Sequence, residues 1–292
     1  MSIGIHYKNE EHIFDEIEAV IDEKSKDTVP YLSYPLFEKT GLVNHGFSTK
    51  LGGVSEGYYA SMNLGFNRGD DAAKVMENYE RFGKAIGVIT SDMVLSQQTH
   101  TTNVRVITME DRGNGITKPQ AFHDVDGMIT NVPGLCLVTF YADCVPLLFV
   151  DPVQKVIGAS HSGWRGTVGK IGKVTVEKMV SEFGCKPENI LAAVGPSVCQ
   201  DCYEVSEDVI LEFQKNYDEQ YWDDLYYKKE NGHYQLNLWK ANEIVFLESG
   251  ILPGHMAISN VCTHCNSDVL YSHRTMGNER GSLCAFLGLK EA

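Results

Sequence analysis

A single apolar stretch constrains this chain's fold more than any other feature. Residues 135–170 read LCLVTFYADCVPLLFVDPVQKVIGASHSGWRGTVGK. The apolar run 135–150 is broken by Asp143 and Pro146, so it is too short and too interrupted to span a bilayer. Two apolar strands, 146–150 and 155–159, flank Asp151-Pro152-Val153-Gln154, which reads as a turn. If Val150 pairs with Lys155, the hairpin brings Cys144 opposite His161 at one end of the ladder.

A thiol and an imidazole so placed can share a metal ion. Zinc takes both ligand types, and a catalytic zinc keeps three protein ligands with the fourth position open. His100, in Gln97-Gln98-Thr99-His100 ahead of a strand, is the third candidate. A core cysteine beside a structural histidine satisfies the same register. After His161 comes Ser162-Gly163-Trp164-Arg165-Gly166, with a helix expected from about Thr167. Glycines let backbone N–H groups approach a ligand, and Arg165 offers a bidentate fork, so the turn suits phosphate. A glycine-rich turn with Arg165 on a nearby carboxylate fits the same residues.

Elsewhere helix and strand patterns alternate without a regular βαβ rhythm. Asp70-Asp71 precede Val75, Tyr79, Phe82 and Ile86, one apolar helical face. Strands are expected at 103–107, 135–141 and 190–194, and helices at 167–183, after Ser206 and at 237–249. The aromatic, charged stretch 217–234 reads as a surface excursion. The fold class expected is α+β, a single domain over residues 1–292 with mixed β-sheets flanked by helices. There is no G-x-G-x-x-G or Walker A motif for a dinucleotide or NTP. A net charge of −14 without a basic run excludes a nucleic-acid or anionic-membrane surface. The N-terminus lacks a basic start followed by an apolar stretch, so a cytoplasmic protein is expected, its eight cysteines reduced.

Further pieces complete a pattern. They are His45-Gly46-Phe47-Ser48-Thr49, Gly52-Gly53-Val54-Ser55, Ala60-Ser61-Met62-Asn63-Leu64-Gly65 and Gln98-Thr99-His100. Asp126-Gly127, Ala142-Asp143-Cys144-Val145-Pro146 and His161-Ser162-Gly163-Trp164-Arg165-Gly166 follow. Gly195-Pro196, Cys202-Tyr203-Glu204-Val205, Cys262-Thr263 and Ser272-His273-Arg274 close the series. In this order the chain resembles the laccase-domain family, first named multicopper polyphenol oxidoreductases and since understood as zinc-dependent purine nucleoside enzymes. Residues 1–40 lie outside the likeness and are expected as an N-terminal extension packed on the domain. The resemblance implies a fold like that of the cysteine-hydrolase-like deamidating toxins, with His100, Cys144 and His161 as metal ligands. It further implies phosphorolysis of adenosine, inosine, guanosine and S-methyl-5′-thioadenosine, and deamination of adenosine. Thr275 stands where many members carry a second Arg after Ser-His-Arg.

On this reading Cys144 and His161 are catalytic, and Asp143 is an acid/base or orients a ligand. Arg165, Gly163, His45, Asn63, His273 and Arg274 are candidates for substrate binding. The partners are a nucleoside and phosphate, and the protein is a monomer or small homo-oligomer. Three rivals stand beside it. Cys144 as nucleophile with His161 as base would make a cysteine hydrolase, three ligands could serve a copper-dependent polyphenol oxidase, and the site could bind without turnover. The pairs Cys199/Cys202 and Cys262/Cys265 suit a four-cysteine structural zinc or a redox couple.

Overall fold

A computed structural model describes residues 3–291. One sheet orders six strands as β1 (Asp15–Asp22), β2 (Asp27–Ser33), β3 (Val43–Ser48), β15 (Leu283–Leu289), β7 (Cys136–Tyr141) and β4 (Met93–Leu95). A second orders β14 (Met256–Ala257), β10 (Leu191–Val194), β8 (Val145–Asp151), β9 (Val156–Ser162), β6 (Gly127–Thr130) and β5 (Val104–Val106). A ribbon of β11 (Glu204–Val205), β13 (Tyr234–Leu236) and β12 (Tyr226–Lys228) stands apart. Both large sheets are mixed: β4–β7, β5–β6 and β10–β14 are parallel, and the other pairs antiparallel. The α+β class with mixed sheets is the one expected.

The two sheets face each other across a core containing Leu32, Phe47, Leu137, Leu148, Ile157 and Leu287. Helix Ala72–Ile86 covers the outer face of the first sheet through Val75, Tyr79, Phe82 and Ile86, as its periodicity predicts. Asp71 caps it by accepting from the Ala73 N–H at 2.8 Å, and Gly87 ends it at φ +74°. Helices Ile171–Phe183, Glu207–Asn216 and Leu238–Glu248 cover the second sheet. The order is helix, sheet, sheet, helices. No helix among the described residues is long and apolar enough to cross a membrane.

Three expectations change. Strand β8 runs one residue further than the turn reading allowed, so Asp151 pairs with Val156 and Pro146 with His161. The buried Asp151 carboxylate causes this, accepting from the Val153 and Gln154 N–H groups at 2.8 and 3.0 Å and leaving a four-residue loop. The helix after Gly163 begins at once as Trp164–Val168, breaks at Gly169 and Lys170 (φ +54°), and resumes at Ile171. Residues 15–33, within the expected N-terminal extension, pack as β1 and β2 on the edge of the first sheet. The surface excursion is anchored by Tyr217, which is buried and donates to the Thr167 carbonyl at 2.9 Å.

Candidate metal centre

The observed register puts Cys144, just outside β8, across from Gly163, just outside β9. His161 lies two residues before Gly163 and so projects from the same face of the ladder. The shift from the expected pairing is therefore two positions, which preserves parity. Thiol and imidazole still meet, diagonally. That face is the inter-sheet one, shared by Leu148, Val150, Ile157 and Ala159, so the pair sits where the core between the sheets opens to solvent. Gly163 leaves the space, since a Cβ there would lie 2.8 Å from His100 Cδ2 and 3.3 Å from Cys144 Sγ.

His100 arrives from a loop that one carboxylate holds. Asp126 accepts from the Thr99, His100 and Thr101 N–H groups at 2.9, 3.0 and 3.0 Å. The same carboxylate lies 2.8 Å from His161 Nδ1, and the Asp126 carbonyl accepts the His161 N–H at 2.7 Å. One buried residue thus positions two imidazoles. His100 itself sits at φ +67°, a strained conformation for a side chain of its size. Its Nε2 is 3.9 Å from Cys144 Sγ, and the three ligand atoms lie within 4.8 Å of one another.

Charges follow from this geometry. Burial alone would push the Cys144 thiol up, but the His161 charge and hydrogen bonds from both histidines pull it below its ordinary value. Burial would lower His161, yet the Cys144 charge and the Asp126 hydrogen bond raise it. Asp126, despite desolvation, is held down to about 2 by His161 and the loop amides. A thiolate and two imidazoles at this spacing are a soft, borderline donor set. Zinc bonds of about 2.3 Å to sulfur and 2.05 Å to nitrogen would separate tetrahedral S and N ligands by about 3.6 Å. The residues fit a metal ion.

The ligands open into a cavity of about 510 Å³ lined by Phe66, Arg68, Gln98, Phe140, Arg280 and Ser282 among others. Arg280 is 7% exposed, and its Nε lacks a partner among the described residues. Desolvation, with the neighbouring Arg68 charge, lowers it to about 10. Sequence reasoning missed Arg68, Arg280 and the role of Asp126. Asp126-Gly127 was a visible signal, but neither arginine lies in a recognisable motif.

The other expected site residues scatter. Asp143 (φ +86°) has both carboxylate oxygens engaged, by the Thr263 hydroxyl at 2.6 Å and the Arg274 N–H at 2.7 Å. It fixes the approach of Cys144. Asn63 is buried and braces the cavity rim, accepting from the Gly65 and Ser282 N–H groups at 2.9 and 3.0 Å. His45 lies in the core between Tyr34 and Phe37, its Nε2 accepting the Tyr34 N–H at 2.9 Å. His273 is exposed and bonds the Gly277 carbonyl at 2.9 Å. Arg274 stacks on Tyr203, lining with Trp164 a separate shallow concavity. Arg165 is exposed, 4.2 Å from the Trp164 ring centroid. Because the helix starts at Trp164, its first turn carries Arg165 round to solvent.

A family model described as multi-copper polyphenol oxidoreductase laccase matches residues 44–290. A Bacillus subtilis protein named purine nucleoside phosphorylase YlmD is 34% identical over 257 residues, covering 85% of this chain and 88% of its own. A protein of an unknown prokaryotic organism named adenosine deaminase RL5 is 34% identical over 238 residues, covering 80% and 90%. The crystal structure of YlmD from Geobacillus stearothermophilus superposes with a TM-score of 0.83 at 30% identity, covering 94% of this chain and 100% of that one.

Proposed function

The chain belongs to the family described as multi-copper polyphenol oxidoreductase laccase, and from that premise we propose that it is a purine nucleoside phosphorylase that also deaminates adenosine. The names of its relatives, phosphorylases and a deaminase, support this activity. The observation that carries it here is three metal ligands opening into a cavity that also holds two arginines and two phenylalanines. Its substrates are a purine nucleoside (adenosine, inosine, guanosine or S-methyl-5′-thioadenosine) and phosphate, taken by a monomer or small homo-oligomer in the cytoplasm.

His100, Cys144 and His161 would hold zinc, which when bound supplies Lewis-acid chemistry. Copper has no support in the relatives' names. Arg68 and Arg280 take the phosphate in place of the exposed Arg165, since a desolvated guanidinium binds an anion more strongly than a solvated one. Phe66 and Phe140 offer apolar walls for a purine ring. Asp126 keeps His161 in one orientation, and Asp143 keeps Cys144 in place.

A second reading has its own observation. Asp126, His161 and Cys144 also form an acid–imidazole–thiol relay with a depressed thiol, the arrangement of a cysteine hydrolase, and the likeness to deamidating toxins would go with it. Such a relay has no use for His100, whose Nε2 converges on the same sulfur. Incubation with adenosine, with and without phosphate, divides the two. Phosphorolysis yields adenine and ribose 1-phosphate only with phosphate, and deamination yields inosine and ammonia in either case. A zinc-loaded protein that leaves every one of the four nucleosides intact would overturn the proposal.

A further inference from the structure

Two Cys-x-x-Cys segments distant in sequence lie side by side in the fold. Ser197 and Cys262 form a parallel bridge in which Ser197 donates to the Val261 carbonyl at 3.3 Å and Thr263 to the Ser197 carbonyl at 3.1 Å. The bridge holds the two segments side by side, and beyond it their sulfurs turn toward one another. The Cys199 N–H donates to Cys262 Sγ at 3.3 Å, and the Cys202 and Cys265 sulfurs are 3.6 Å apart. All four sulfurs lie within 4.8 Å of one another. Cys199 and Cys262 are buried, and Cys265 is exposed at the rim.

We propose that Cys199, Cys202, Cys262 and Cys265 form a second metal site, a tetrathiolate that binds one structural zinc ion per chain. Four sulfurs about 2.3 Å from a tetrahedral zinc stand about 3.8 Å apart, close to the separation already present. Paired Cys-x-x-Cys turns are the spacing that structural zinc sites use, and the widest sulfur separation, within 4.8 Å, would close by about 1 Å on binding. The Cys199 amide supplies a hydrogen bond to a coordinating sulfur, and the Lys8 charge acts on Cys199 and Cys265, offsetting the anionic site.

A redox couple fits less well. A redox couple needs two sulfurs, whereas all four converge here within 4.8 Å of one another. Zinc binding would release their four protons and leave a site of net charge −2.

The place in the fold gives the ion its task. Val198, beside Cys199, donates to the Asp143 carbonyl at 3.1 Å, and Thr263, beside Cys262, donates to the Asp143 carboxylate at 2.6 Å. The clamp would hold together the two loops that grip the residue preceding Cys144. It also lies against the N-terminal segment, which Tyr7 joins to Val261 and His6 to Asn266.

The test is zinc stoichiometry on the full chain, purified without chelators, in Cys144→Ala and in Cys144→Ala/Cys202→Ser/Cys265→Ser. One zinc per chain in the first and none in the second is expected. No zinc in Cys144→Ala, or one zinc retained in the triple variant, overturns the site. Because serine variants could misfold, Cys144→Ala is also loaded with cobalt(II) and alkylated natively. A tetrathiolate charge-transfer spectrum, with Cys202 and Cys265 protected until chelator is added, is expected. Free alkylation of both in the loaded protein, or a disulfide between them, overturns it.

Discussion

Asp126 commits its carboxylate and its carbonyl to the two histidines of the centre. An asparagine there keeps the shape but loses the charge, and its NH₂ cannot accept. Asp126→Asn should weaken metal binding about 10–100-fold, as is usual when a ligand's supporting partner is removed, with the fold intact. Competition against a chromophoric chelator reads this directly, and unchanged affinity would remove Asp126 from the site. Gly163→Ala tests the neighbouring space. The new methyl would sit 2.8 Å from His100 Cδ2, so His100 must turn away, and metal content should fall while the circular dichroism spectrum stays the same. Full metal occupancy would show that the loop yields instead. Residue types announced the candidate ligands: Cys144, His161 and His100 stood out because few side chains bind zinc, and the fold brings the three together. Arg68 and Arg280 were not, because a surface arginine and a cavity arginine look alike until the fold desolvates one of them.

At the scale of elements, the β8–β9 hairpin decides where the ligands fall. Its existence was plain from two apolar runs about a turn. Its register was not, since closing the loop at Val150–Lys155 or at Asp151–Val156 satisfies the same pattern. What selects the second is a hydrogen-bonding choice by the Asp151 side chain. Asp151→Ala should therefore cost about 1–3 kcal/mol, because two loop amides lose their acceptor. Chemical denaturation measures it, and a loss within error would mean that the strands alone set the register. The helix break at Gly169 and Lys170 was likewise hidden, as apolar spacing continues smoothly through it. At the break the Thr167 carbonyl accepts from the Tyr217 hydroxyl at 2.9 Å, a partner distant in sequence.

For the whole molecule, His45 sets an acid limit. Burial, helped by the Lys290 charge, lowers its pKa from the ordinary 6.5 to about 4, with the Glu38 carboxylate 3.7 Å from Nδ1. The unfolded chain binds this proton more readily, so the contribution is complete above pH 6.5 and is lost as pH falls through 4. The amount at stake is on the order of 3 kcal/mol, trimmed by Glu38 once the ring is charged. Urea midpoints compared between wild type and His45→Phe should converge as pH drops from 7 to 4.5. Parallel curves would show that His45 titrates normally.

The pairing of β3 with β15 joins residues 43–48 to residues 283–289. During synthesis β3 can find β2 early, but its other neighbour is made only after the many residues that separate 48 from 283. Until then the apolar faces of Phe47 and Leu137 have no partner strand between them, and the core between the sheets stays open. Arg280 and Ser282 reach the cavity only as that strand docks. Completion is therefore a late event, and a slow one, because long-range pairings must close a large loop before they gain contacts. A nascent chain of this topology exposes apolar surface until that strand has been made, the kind of intermediate that chaperones shield.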